Sequence, residues 1–159
     1  MDNEDKEYSL DLILWRHADA EDGFPDHGRV LTEKGRKQAA TVAKWLQRRL
    51  PDGVRVIASP AVRAQQTADA LGRPYETMPG IAPGTDATAL LHAAGWPDSK
   101  GCVVVVGHQP AMGRLASLLL CGQENDLSIK KAGIWWFTNR VRRDEQQIVL
   151  KAVMAPELV

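Results

Sequence analysis

The run Cys102-Val103-Val104-Val105-Val106 constrains this 159-residue chain more than any other stretch. Four consecutive valines favour an extended backbone, because β-branching stiffens χ1 and suits a pleated surface. Adjacent side chains on a strand point to opposite faces. A strand apolar at every position must therefore be covered on both faces, as in a parallel sheet flanked by helices. This run ends abruptly at Gly107-His108. A second apolar run, residues 10–15, closes with Leu12-Ile13-Leu14-Trp15 and stops at Arg16-His17. A third, Val54-Arg55-Val56-Ile57-Ala58, stops at Ser59-Pro60.

Helical patterns follow these runs. Thr32 suits the N-cap of a helix over 33–50, where Ala39, Val42, Ala43, Leu46 and Leu50 recur at helical spacing. Arg48 and Arg49 in its last turn complement the helix dipole. Ser59 reads as an N-cap and Pro60 as the first helical residue of a helix running to Leu71. Residues 86–94 form another helix, and Pro110 opens one that closes near Gly122. A short strand falls near Glu76–Met78 within a loop rich in Pro and Gly. Gly133–Asn139 and Gln146–Met154 read as a hairpin joined by the polar stretch Arg140–Glu145. In the first of these strands Ile134 and Trp136 share one face while Trp135 and Phe137 share the other, which predicts an interior strand. The fold expected is α/β: a single-domain, three-layer structure over residues 10–159. Its central sheet is mostly parallel, with helices on both faces and a C-terminal antiparallel hairpin. Residues 1–9 read as a flexible tail.

Composition serves to exclude. Twenty basic and twenty acidic side chains cancel, so no global basic field points to nucleic acid or an anionic membrane. Cys102 and Cys121 sit in apolar stretches with neither a disulfide framework nor metal-ligand spacing, and read as buried thiols. The N-terminus "MDNEDKEYS" lacks the profile of a signal peptide, and no apolar run approaches a membrane span. A cytoplasmic location is expected, with no nucleic-acid or membrane partner.

Ligands of such sheets bind at the carboxyl ends of the strands. That rule gathers Arg16 and His17 from the first strand, His108 from the strongest strand, and Arg63 from the first turn of the intervening helix. Guanidinium groups match phosphate oxygens with paired, charge-assisted hydrogen bonds. A neutral imidazole can attack phosphorus, and nearby positive charge keeps it neutral. Taken singly, Arg63 reads as a solvated helical residue and His108 as a core histidine. Taken together, strand-end placement sends all four to one rim. His27 and His92 are scattered, and the structural or solvent-exposed reading is preferred for both. No zinc site is expected.

At these residues the sequence resembles the histidine phosphatase superfamily, and within it the SixA-type phosphohistidine phosphatases. "LILWRHA" looks like the strand and Arg-His motif, and "DHGRVLTEKG" (Asp26 to Gly35) like the Asp-x-x-Arg-x-Leu-Thr-x-x-Gly element. "ASPAVRAQQTA" (Ala58 to Ala68) is similar to the Ser-Pro-x-x-Arg-Ala-x-x-Thr signature, and "VVVVGHQPAM" to the segment carrying the second histidine. The resemblance implies a phosphoglycerate mutase-like fold. It implies a phosphorylated nucleophile at His17, a phosphate pocket of Arg16, Arg63 and His108, and hydrolysis of the intermediate by water with no metal or cofactor. Two positions depart from common superfamily patterns. Ala18 replaces a frequent glycine, and Gly23 stands near where several branches carry an asparagine phosphate ligand.

Many superfamily members protonate the leaving group with a carboxylic acid. The candidates here are Asp86, better read as a helix cap, and the weaker Asp19 and Glu21, close to the nucleophile. An imidazole leaving from phosphohistidine needs less acid assistance than an alkoxide. Between Ser59 and His108 there is no room for a large helical cap. These features favour a phosphorylated protein, such as a histidine phosphotransfer-type domain, as the substrate. The alternatives are a phosphatase of small phosphomonoesters and a non-catalytic phosphate-binding module.

Overall fold

Strand β1 (Tyr8–Arg16) runs through the middle of a six-stranded sheet and is hydrogen-bonded on both sides. The computed structural model describes residues 7–159; residues 1–6, most of the expected tail, lie outside the described residues. The strand starts at Tyr8 rather than Leu10 because Tyr8 and Ser9 pair with Val141 and Arg140 of a distant strand. Polar residues are held there by ladder hydrogen bonds that a local pattern does not reveal.

Along the chain follow α1 (Glu33–Gln47), β2 (Arg55–Ala58), α2 (Val62–Asp69), β3 (Glu76–Thr77) and α3 (Ala87–Ala94). Then come β4 (Gly101–Gly107), α4 (Ala111–Cys121), β5 (Ile134–Arg142) and β6 (Glu145–Met154). The strand order is β3-β2-β4-β1-β5-β6. Pairs from β3 through β1 are parallel, and the hairpin adds β5 and β6 antiparallel. The fold is the expected single-domain α/β architecture with a mixed sheet. Strand β5 is interior, as its two apolar faces require.

The two faces of β1 feed two separate cores. Ile13 and Trp15 pack with Val42 and Leu46 of α1 and with Ala64 and Ala68 of α2. Leu12 and Leu14 pack with Leu90 of α3 and with Met112 and Leu115 of α4. Each fully buried Leu or Ile contributes about 1.5–3 kcal/mol to this layering. Neighbouring parallel strands β1 and β4 thus send their following helices to opposite faces. In α/β sheets such a divergence marks the usual ligand position, at the carboxyl ends of the strands.

Two local readings change. Helix α2 begins at Val62, and Ser59 does not cap it: its hydroxyl accepts from the Ala61 N–H two residues on. Cys102 is buried and its thiol is pushed up to about 12 by desolvation, but Cys121 is exposed at the end of α4. No helix among the described residues is long and apolar enough to cross a membrane.

Candidate active site

Sheet register alone brings the first residues together. Arg16 pairs with Gly107 across the β1–β4 ladder, and the His17 N–H donates to the Gly107 carbonyl at 3.0 Å. His17 and His108 therefore leave adjacent strands side by side, with ring centroids 5.1 Å apart. On the other side of β4, the Ser59 N–H donates to the Val106 carbonyl, so the end of β2 lies against the same spot. Its hydroxyl reaches His108, with Oγ 2.7 Å from Nε2.

His17 Nδ1 lies 2.8 Å from the Ala18 carbonyl oxygen. A carbonyl can only accept, so Nδ1 carries the proton and Nε2 keeps its lone pair. Burial pushes the His17 pKa down from 6.5 to about 4; the Ala18 hydrogen bond opposes this, while Arg63, Arg16 and Arg29 add to it. His17 is thus neutral at pH 7, with the lone pair on the nitrogen a nucleophile would use. His108 is pushed down to about 3, first by burial, then by His17 and Arg63.

The arginines are held by the backbone on one side and left unsatisfied on the other. Arg16 donates from Nη1 to the Ile129 carbonyl at 2.7 Å. Arg63, 5% exposed, donates to the Asp26 carbonyl at 2.9 Å and to its carboxylate at 3.2 Å. Arg16 Nε, Arg63 Nε and His108 Nδ1 are buried without a hydrogen-bond partner among the described residues. Buried polar atoms normally find partners, each orphan costing about 1–3 kcal/mol. Three of the four such atoms among the described residues belong to this rim; the fourth, Asn139 Oδ1, lies opposite Leu10 near the start of β1.

The loop between β1 and α1 is stitched to the site. The Ala18 N–H donates to Thr67 Oγ1, and the Thr67 hydroxyl donates to the Arg63 carbonyl. A Cβ at Gly35 would collide with the Asp19 carbonyl, so the start of α1 approaches this loop as only glycine permits.

Two of the acid candidates are committed to other partners and the third is exposed. Asp86 caps α3, accepting from the Ala89 N–H at 2.8 Å. Asp19 is bound by Lys131 at 2.7 Å and Thr32 at 2.7 Å, bonds that hold its carboxyl below the ordinary range. Glu21 is exposed, and only its backbone is engaged, with Val30 and Arg29. The carboxylate that does come into the field of His108 is Asp26. Hydrogen bonding from Arg29, then the charge of Arg63, keeps Asp26 ionised. Asp26 and Ser59 each lead a quoted motif, but the sequence reading gave neither a role at the site. His27 and His92 are exposed.

Known proteins resemble this chain in sequence and in fold. Residues 12–84 match the histidine phosphatase superfamily (branch 1). Phosphohistidine phosphatase SixA of Escherichia coli is 30% identical over 124 residues, covering 72% of this chain and 76% of that protein. This chain is a SixA-type member of the histidine phosphatase superfamily. The SixA structure from Nakamurella multipartitia superposes with TM-score 0.76 at 26% identity, covering 93% and 96% of the two chains. A phosphoserine phosphatase from Entamoeba histolytica shares the fold at TM-score 0.67 and 19% identity, covering 92% and 97%. Membership assigns this SixA-type chain to the phosphatases, with a phosphorylated compound as its substrate. The fold by itself does not select among phosphorylated substrates.

Proposed function

We propose that the chain is a metal-independent phosphohistidine phosphatase that works through a phospho-His17 intermediate and acts on a phosphorylated protein. The observation that carries this reading is the neutral His17, with its Nε2 lone pair unengaged, among buried and unpaired nitrogens of Arg16, Arg63 and His108.

In the first step the Nε2 lone pair attacks phosphorus and the substrate P–N bond breaks. Its electron pair goes to the departing imidazole nitrogen. The leaving imidazole, protonated on its other nitrogen, departs neutral. In the second step water attacks phospho-His17, the Nε2–P bond breaks, and orthophosphate takes up the water's protons. Arg16, Arg63 and His108 hold the phosphoryl oxygens, whose charge a preorganised donor set stabilises without rearrangement.

Acid catalysis bears on the substrate. Asp19 and Asp26 are held ionised by cations, and Asp86 is occupied as a cap. None of these three is thereby a ready proton donor to an alkoxide. A phosphohistidine leaving group needs none, which supports it over a phosphomonoester. The SixA relative of E. coli bears the corresponding name.

The test compares kcat/KM on a phosphohistidine-carrying phosphotransfer domain with kcat/KM on a panel of phosphoserine and sugar phosphates. The phosphorylated domain is expected to be the better substrate by at least about tenfold. Turnover of a phosphomonoester at a higher kcat/KM would replace this substrate assignment. Binding of phosphate with no turnover of any substrate would leave a phosphate-binding module.

A further inference from the structure

Ser59 holds a position that a helix cap would not explain. It is fully buried, its Oγ accepts from the Ala61 N–H at 3.2 Å, and it lies 2.7 Å from His108 Nε2. A hydroxyl has one proton and two lone pairs. The Ala61 N–H takes one lone pair. Among the described residues the proton then has one acceptor within hydrogen-bond distance, His108 Nε2.

The two possible tautomers of neutral His108 leave different debts. If Nε2–H donated to Ser59, the serine proton would be buried with no acceptor, and Nδ1 would present a bare lone pair. If the serine O–H donates to Nε2, the serine is fully satisfied. One atom then stays unpaired: Nδ1, which is buried without a partner and now carries a proton. The second arrangement strands fewer buried polar groups, each of which is costly.

We infer that Ser59 is a positioning residue that locks His108 in the Nδ1–H tautomer, so that this N–H donates to a phosphoryl oxygen. The inference rests on the proposed phosphatase reading of the site and refines it. The two histidines then do opposite work from the same Nδ1–H tautomer. Ala18 fixes His17 so that its Nε2 lone pair faces phosphorus, while Ser59 ties up His108 Nε2 and leaves an N–H for the ligand. A bare Nδ1 lone pair would instead repel a phosphoryl oxygen.

The test is ¹⁵N-detected histidine NMR on the full chain at pH 7, with kcat/KM on phosphoramidate. His108 is expected to show a protonated Nδ1 and an unprotonated, hydrogen-bonded Nε2. Ser59→Ala should shift that tautomer signature toward Nε2–H and lower kcat/KM by about 10- to 100-fold, less than the ~10²–10³ of deleting a donor outright. Ser59→Thr keeps the hydroxyl and should restore both. The inference fails if wild-type His108 is protonated on Nε2, or if Ser59→Ala changes neither signature nor rate. Should Ser59→Ala not fold, the wild-type spectrum and Ser59→Thr still decide. A chain with the expected tautomer but no turnover of phosphoramidate or any other phosphorylated compound would defeat the phosphatase reading instead.

Discussion

Strand β1 carries an ionisable residue toward each end, and the two ends are satisfied in opposite ways. Near its start, Asp11 accepts from Trp136 Nε1 at 3.1 Å, from the Thr138 hydroxyl at 2.9 Å and from Lys151 at 3.4 Å. Its charge is compensated and its lone pairs are used. At the other end, Arg16 Nε, Arg63 Nε and His108 Nδ1 are buried and without a partner among the described residues. A saturated cluster holds a sheet together. In the proposed reading, the unsaturated one is where a phosphoryl group supplies the missing acceptors. Mutations at the two ends should accordingly separate activity from stability.

The largest separation is expected for His17→Ala, which should lower phosphatase turnover by at least about 10³-fold by removing the nucleophile. Its melting temperature should stay near wild type, a pairing checked by kinetics and calorimetry on one preparation. Arg63→Met should cost roughly 10²–10³ in kcat/KM through lost charge stabilisation. It also removes the bonds to Asp26, whose exposed carboxylate water can rehydrate, so urea unfolding should show a loss of only about 1–2 kcal/mol.

The site end should also set the acid sensitivity of the fold. His17 and His108 are depressed in the folded chain from 6.5 to about 4 and about 3, by burial first. Between 6.5 and those values the unfolded chain binds protons that the folded chain excludes. Stability is therefore complete above pH 6.5 and falls as pH drops toward 4, by on the order of 3 kcal/mol per histidine. Denaturant titrations at several pH values should show a shallower slope for His108→Asn; an unchanged slope would break this assignment.

At the saturated end the order reverses. Asp11→Ala strands the Trp136 N–H and the Thr138 hydroxyl, and should lower stability by about 2 kcal/mol. Its kcat/KM should be unaffected. The smallest effect belongs to the hairpin turn, where Arg143 and Asp144 hold positive φ angles of 52° and 60°. Asp144→Gly relieves a left-handed residue and should raise stability by about 0.5 kcal/mol in thermal unfolding.

Much of this was legible in the sequence. The doubly apolar runs at 12–15 and 102–106 dictate strands covered on both faces, and strand-end chemistry brings Arg16, His17, Arg63 and His108 to one rim. What escaped depends on partners distant in the chain. Ser59-Pro60 fits a helix-start pattern so well that only the β2–β4 register, Ala58 against Val106, reveals the serine beside His108. Asp26 heads a motif in the sequence, but its bonds to Arg63, 37 positions later, appear only in the fold. Tyr8 and Ser9 join β1 because Val141 and Arg140 supply a ladder, not because their own pattern asks for a strand. Local chemistry nominates His17 as the nucleophile; tertiary pairing shows which residues hold it.

The central claim is that phosphate passes through His17. A rapid-quench experiment with a ³²P-labelled phosphohistidine domain tests it directly, followed by peptide mapping under alkaline conditions that preserve phosphohistidine. Transient label on the peptide bearing His17, chased to orthophosphate and absent in His17→Ala, is the result predicted. Wild-type turnover with no label on His17, or turnover by His17→Ala at the wild-type rate, would contradict it.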